Sequence, residues 1–203
     1  MKVLICYYST YGNVYRMAGL VAEGVEEVAG AEPLIRTVPE LMPESLVESN
    51  EAMKAGRELQ KDVPKVTLDD FKEAGAYAFG TPTRFGNVSS QLKNQIDQLS
   101  PLWLAGELED KPAGVFTSTA TLHGGQETTI HTLMAPLLHL GMIPLGVPYS
   151  ITELFTTATG GSPYGPGHVA GGDNKNPIDE HEAAICRALG RRVAKIGVRL
   201  AGG

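Results

Sequence analysis

Residues 2–13 read KVLICYYSTYGN, and the reading of the chain begins from the break inside that stretch. KVLICYY is apolar without alternation, the pattern of a strand buried on both faces. The run stops at Ser9, and apolar residues then fall at Val14, Met17, Ala18, Val21, Ala22 and Val25, the spacing of a helix with one buried stripe. The opening unit is therefore strand, tight loop, helix. With a single Lys, a short apolar run and no cleavage-site pattern, the first nine residues read as that strand and not as a signal peptide.

The same unit recurs along the chain. PLIRTV (33–38), AYAFGTP (76–82), PAGVFTST (112–119) and Met142 to Val147 read as four more strands. Helical patterns run from about Asn87 to Leu99, from Gln126 to Leu140 and from about Asp179 to Leu200. Parallel strands need crossover helices and bury both faces, so the order predicts a doubly wound parallel α/β sheet with helices on both sides. Five strands in 203 residues favour the flavodoxin-like variant over the dinucleotide-binding one, in one domain spanning 1–203. Two stretches exceed a minimal five-strand core: 39–66, rich in Pro, Glu, Ser and Lys, and 155–177, FTTATGGSPYGPGHVAGGDNKNP. A connection as long as the second is functional or disordered, and Tyr164 and His168 within it favour function.

Composition removes several classes. The chain is 42% hydrophobic and 20% charged, and no apolar run approaches the roughly 18 residues that suggest a membrane span. A net charge of −6 provides no basic footprint for nucleic acid or an anionic membrane. Cys6 and Cys186 are far apart, with no CxxC spacing, and read as reduced thiols of a cytoplasmic protein. His123, His131 and His139 are spaced by eight without a Cys or carboxylate cluster, which leaves a metal site weakly supported. Ser9 and Ser118 lie in no GxSxG elbow, which argues against a hydrolase.

Three strand ends carry the chemistry. The first offers Ser9, Thr10, Tyr11, Gly12 and Asn13, with Val14 opening the helix: two hydroxyls, a glycine for close backbone approach and free helix amides. Such a loop holds a phosphate monoester without a lysine, as FMN requires. It contains neither GxxxxGK[ST] nor GxGxxG, so a mononucleotide fits better than a dinucleotide. The second is Gly80-Thr81-Pro82-Thr83-Arg84-Phe85-Gly86-Asn87, whose stiff backbone and aromatic ring suit a flat ring system. The third, Ser118-Thr119-Ala120-Thr121-Leu122-His123-Gly124, is again rich in hydroxyls and glycine. Three such loops at the carboxyl ends of strands point to one shared ligand site.

YYSTYGN, FGTPTRFGN, the STAT-HGGQE stretch, LLHLGM and GGSPYG…AGG together resemble the WrbA-type (type IV) NAD(P)H:quinone oxidoreductases, flavodoxin-like FMN proteins, over nearly the whole chain. The resemblance implies two-electron reduction of quinones by NADH or NADPH through bound FMN. It implies that Ser9, Thr10, Gly12, Asn13 and Val14 hold the FMN phosphate, with Tyr11 beside the nicotinamide. Pro82 through Asn87 and Ser118 through Gly124 would bind the cofactor, as would His139. Trp103 would border the quinone pocket, and His123 or His139 would act in proton transfer. It also implies a homodimer or homotetramer with sites built partly at subunit contacts, to which Trp103 or Tyr164 contributes. Asn13, Leu140 and Leu122 depart from residues common in relatives, which bears on quinone preference. The rival class is a flavodoxin-like electron carrier, or an FMN-binding module, without pyridine-nucleotide activity.

Overall fold

A computed structural model describes residues 1–202. In chain order the elements are β1 (Lys2–Tyr7), α1 (Asn13–Glu26), β2 (Glu32–Thr37), α2 (Glu44–Glu48), α3 (Glu51–Leu59) and α4 (Leu68–Glu73). There follow β3 (Ala76–Pro82), α5 (Ser90–Asp97), α6 (Ser100–Leu104), β4 (Pro112–Thr119), α7 (Gln126–His139) and β5 (Ile143–Leu145). The chain closes with α8 (Glu153–Thr156), β6 (Gly167–Val169) and α9 (Glu180–Ala201).

The sheet is parallel throughout, in the order β2-β1-β3-β4-β5. That is the flavodoxin-like order, in which the direction of winding reverses between β1 and β3 and opens a crevice at the carboxyl ends of those strands. Val3, Ile5, Tyr7 and Phe116 point to one face, where α1 and α9 cover them. Leu4, Cys6, Phe79 and Val115 point to the other, where Phe71 of α4, Leu92 of α5 and Ile130 and Leu133 of α7 pack against them. Alternate burial on two covered faces is why the strands read as unbroken apolar runs.

The structure refines the expected elements. The 39–66 insertion is ordered, holding α2 and α3, with Asn50 capping α3 through bonds from the amides of Ala52 and Met53. The 155–177 insertion supplies β6, which pairs with the carboxyl half of β4 (Ser118↔His168) and makes the sheet six-stranded. The helix expected from Asn87 starts at Ser90, because Arg84 to Asn87 form a turn and Ser89 becomes the cap. The fifth strand shrinks to three residues, since the Val147 amide donates to Pro163 O rather than to β4.

Candidate functional site

The first loop leaves β1 and turns through Gly12, whose φ of 89° is a left-handed conformation that costs a residue with a Cβ. Helix α1 then begins with no side-chain cap and no acidic residue in its first turn. Its leading amides and the positive end of its dipole are therefore available to an anion. Asn13 does not cap them; its Oδ1 accepts from Arg16 Nη1 at 3.2 Å. Ser9 is only 7% exposed, and its Oγ has no partner among the described residues.

Other elements hold this loop from behind. Gln60, just past α3, donates from Nε2 to Ser9 O at 2.8 Å. Helix α3 comes so close that a Cβ on Gly56 would lie 2.4 Å from Thr10 O. Arg84 Nη2 donates to Thr10 Oγ1 at 2.7 Å and so ties the second loop to the first.

In the second loop Arg84 and Asn87 exchange backbone bonds of 2.9 and 3.1 Å around Phe85 and Gly86, with φ of 56° and 76°. Two left-handed central residues make a tight turn, and for Phe85 that conformation is strained. Its ring projects fully exposed. The Thr83 amide donates to Ser118 O at 3.0 Å and Thr129 Oγ1 donates to Thr83 Oγ1 at 2.8 Å, so β4 and α7 fix the base of this loop. In the third loop Ser118 and Thr119 are buried, while Ala120 to His123 are exposed. Thr119 Oγ1 donates to Thr121 O at 2.8 Å and accepts from Gln126 Nε2 at 3.1 Å.

The three loops line one pocket. The first contributes Ser9 to Tyr11 with Asn13 and Val14, the second Pro82 to Arg84, and the third Ser118 to Ala120. An orphaned buried hydroxyl, uncapped helix amides and a guanidinium two residues from the strand end form a donor set that fits a phosphate monoester such as that of FMN. Gly12, Phe85, Gly86, Asn87, Thr121, Leu122, His123 and Gly124 stand outside the lining. Asn174 joins it from the 155–177 insertion. The sequence singled out that insertion but not this residue; the signal was the turn-forming Gly-Gly-Asp-Asn run, in which Asn174 takes a left-handed φ of 60°. Gln60 and Thr129 were also missed, since neither lies in a strand-end loop.

His139, expected at the flavin, and Trp103, expected at the quinone pocket, do not line this pocket within one chain. Helix α7 starts beside the carboxyl end of β4 and runs back, so its last residue, His139, lies about 20 Å away along the helix axis. There it faces Trp103 of α6, with ring centroids 5.9 Å apart, in a separate depression shared with Asp97 and Pro136. Tyr164 instead packs on His131, centroids 4.2 Å apart.

The long insertion is held by one buried carboxylate. Glu182 near the start of α9 accepts from the amides of Gly160 and Val169 and from Asp179 N, and it bonds His168 Nδ1 at 2.7 Å. Burial pushes the Glu182 carboxyl up, but the bonds from His168, Val169 and Gly160 outweigh it and hold the group below the ordinary carboxylate range.

Residues 1–157 match the family described as NADPH-dependent FMN reductase. The chain is 48% identical over 201 residues to a protein of Trichlorobacter lovleyi named NAD(P)H dehydrogenase (quinone), covering 98% of both chains. It is 46% identical over 204 residues to a protein of Geobacter sulfurreducens with the same name, covering 100% of both. The crystal structure of the flavodoxin, WrbA-like protein from Agrobacterium tumefaciens superposes with a TM-score of 0.64 at 24% identity, over 98% of each chain.

Proposed function

We propose, since the chain belongs to the NADPH-dependent FMN reductase family, that it is an FMN-dependent NAD(P)H:quinone oxidoreductase. The observation that carries this reading is the convergence of three strand-end loops on one pocket at the β1/β3 switch point, with an unpaired Ser9 hydroxyl beside the uncapped start of α1. Relatives identical at nearly half of all positions over the full chain bear the name NAD(P)H dehydrogenase (quinone).

Ser9, Thr10 and the amides of Gly12 to Val14 bind the phosphate of FMN, and the α1 dipole offsets its charge. Pro82, Thr83 and Arg84 on one side and Ser118 to Ala120 on the other orient the ring. When bound, FMN would supply the redox chemistry, two-electron transfer from NADH or NADPH to a quinone, which with two protons becomes the hydroquinone. Tyr11, half-buried in the lining, stands where it can border the nicotinamide. Phe85 and Leu122, exposed beside the pocket, offer apolar surface to a quinone ring. His123, exposed on the third loop three residues past Ala120 of the lining, is the candidate proton donor of that loop.

Trp103 and His139 serve a neighbouring chain's flavin in this reading. Their distance from the pocket within one chain fits sites completed across subunit contacts, in a homodimer or homotetramer. We place the protein in the cytoplasm; among the described residues no helix is long and apolar enough to cross a membrane. The whole chain acts as one FMN-binding domain.

The reading is tested by following NADH and NADPH oxidation at the nicotinamide absorbance band, anaerobically, with and without FMN and benzoquinone. Oxidation that requires both additions is expected. Tight FMN binding with no nucleotide oxidation would instead make the protein an electron carrier or a binding module.

A further inference from the structure

Beside the first pocket, and sharing Ser9 and Thr10 with it, a second cavity of about 400 Å³ opens between the ends of β1 and β2 and helices α2 and α3. That volume lies within the range of small-molecule sites. The reaction described above gives it no task, and it is built by the 39–66 insertion.

Its charged groups favour an anion. Arg57, Lys61 and Lys65 line it. Arg57 and Lys61 are bridged to Glu44 and Glu58, which stand outside the lining. Lys65 makes no ion pair and no side-chain hydrogen bond among the described residues, although its backbone is fixed by pairing with Thr37. Partial burial pushes the Lys65 ammonium below its ordinary pKa, with Glu40 opposing that and Arg57 adding to it, so an added anion would stabilise its charged form.

The one carboxylate in the lining, Glu40, offsets part of the charge of the three cations, and its own bonds hold it in place. Glu40 Oε1 accepts from the amides of Leu41 and Met42 and from Gln91 Nε2, and Oε2 accepts from the Tyr8 hydroxyl. Oε1 is thereby saturated, while Oε2 keeps one acceptor position. Gln60 Oε1 is buried without a donor and suits a hydroxyl or amino group. The cavity thus offers donors for a phosphate and an acceptor for a nucleoside.

Its position suits one end of a dinucleotide. The ring-orienting loops follow β3 and β4, two and three strands from β2, or about 10–14 Å at ordinary strand spacing. A pyridine dinucleotide with its nicotinamide at those loops can extend its adenosine across β1 to this cavity.

We propose that the cavity holds the 2′-phosphorylated adenosine of NADPH, with Lys65 as the main phosphate contact and Gln60 accepting from the nucleoside, and that it selects NADPH over NADH. This rests on the pyridine-nucleotide reading above. The test is calorimetric titration of the FMN-loaded protein with adenosine 2′,5′-bisphosphate and with 5′-AMP, in wild type, Lys65→Ala and Lys61→Ala. The bisphosphate should bind about tenfold or more tightly than 5′-AMP. Lys65→Ala should remove most of that preference, leaving 5′-AMP binding, FMN affinity and NADH-driven quinone turnover unchanged. Equal affinity for the two probes in wild type overturns the proposal, as does a preference untouched in both variants. Preferential bisphosphate binding by a protein that oxidises neither nucleotide supports the cavity and overturns only the quinone reading.

Discussion

A buried hydroxyl without a partner costs about 1–3 kcal/mol, and Ser9 carries one where the first loop meets α1. If that hydroxyl exists to meet a phosphate, Ser9→Ala should leave the apoprotein as stable as wild type or up to about 1 kcal/mol more so. It should also weaken FMN binding by about tenfold or more, the loss of a bond to a charged group. Urea unfolding of the apoprotein and FMN fluorescence quenching measure the two halves separately. Phe85 shows the same trade. Its left-handed backbone is strained, so Phe85→Gly should gain about 1 kcal/mol in stability while raising KM for benzoquinone, because an apolar surface beside the pocket is lost. At this scale the sequence was legible where a residue's type states its chemistry, as in the hydroxyls of Ser9, Thr10 and Ser118. It was silent on Gln60 and Thr129, whose contacts to the loops depend on how distant helices pack.

Among the elements, α3 is the support that the sequence showed least. Its closeness to the first loop rests on Gly56, where an added Cβ would meet Thr10 O at 2.4 Å and Tyr11 Cα at 2.8 Å. Both atoms are backbone, so the helix must move. Gly56→Ala is expected to cost about 2 kcal/mol in stability and to loosen FMN several-fold, measured by unfolding and by titration. Helix α9 holds the 155–177 insertion through Glu182. Its carboxyl is depressed in the folded state, so the stability it provides is present above the unfolded value of about 4.3 and is lost as pH falls through the folded value. Glu182→Gln should therefore cost about 2–3 kcal/mol at pH 7, with the gap from wild type closing below about pH 4, as urea unfolding across pH would reveal. The main strands and long helices could be read because burial on two faces or on one stripe imprints a period. Strand β6 could not, because three residues carry no period and its pairing depends on a turn-rich stretch folding back onto β4.

For the molecule as a whole, the pocket's three loops were predictable because a parallel sheet delivers every strand's carboxyl end to one edge. The same rule starts α7 at that edge and carries His139 away from it, but the meeting of His139 with Trp103 of α6 depends on how the two helices pack. Binding should be felt globally: FMN at 100 times its Kd adds about 2.7 kcal/mol, which for a chain of this size raises Tm by about 5–10 °C. The most direct test of flavin-mediated quinone reduction is anaerobic stoichiometry. The FMN-loaded protein is mixed with a measured amount of NADPH and excess benzoquinone, and hydroquinone formed is compared with nicotinamide consumed. Equal amounts, with no consumption when FMN is omitted, are predicted. Consumption that is independent of FMN, or nicotinamide left untouched while FMN stays bound, would contradict it.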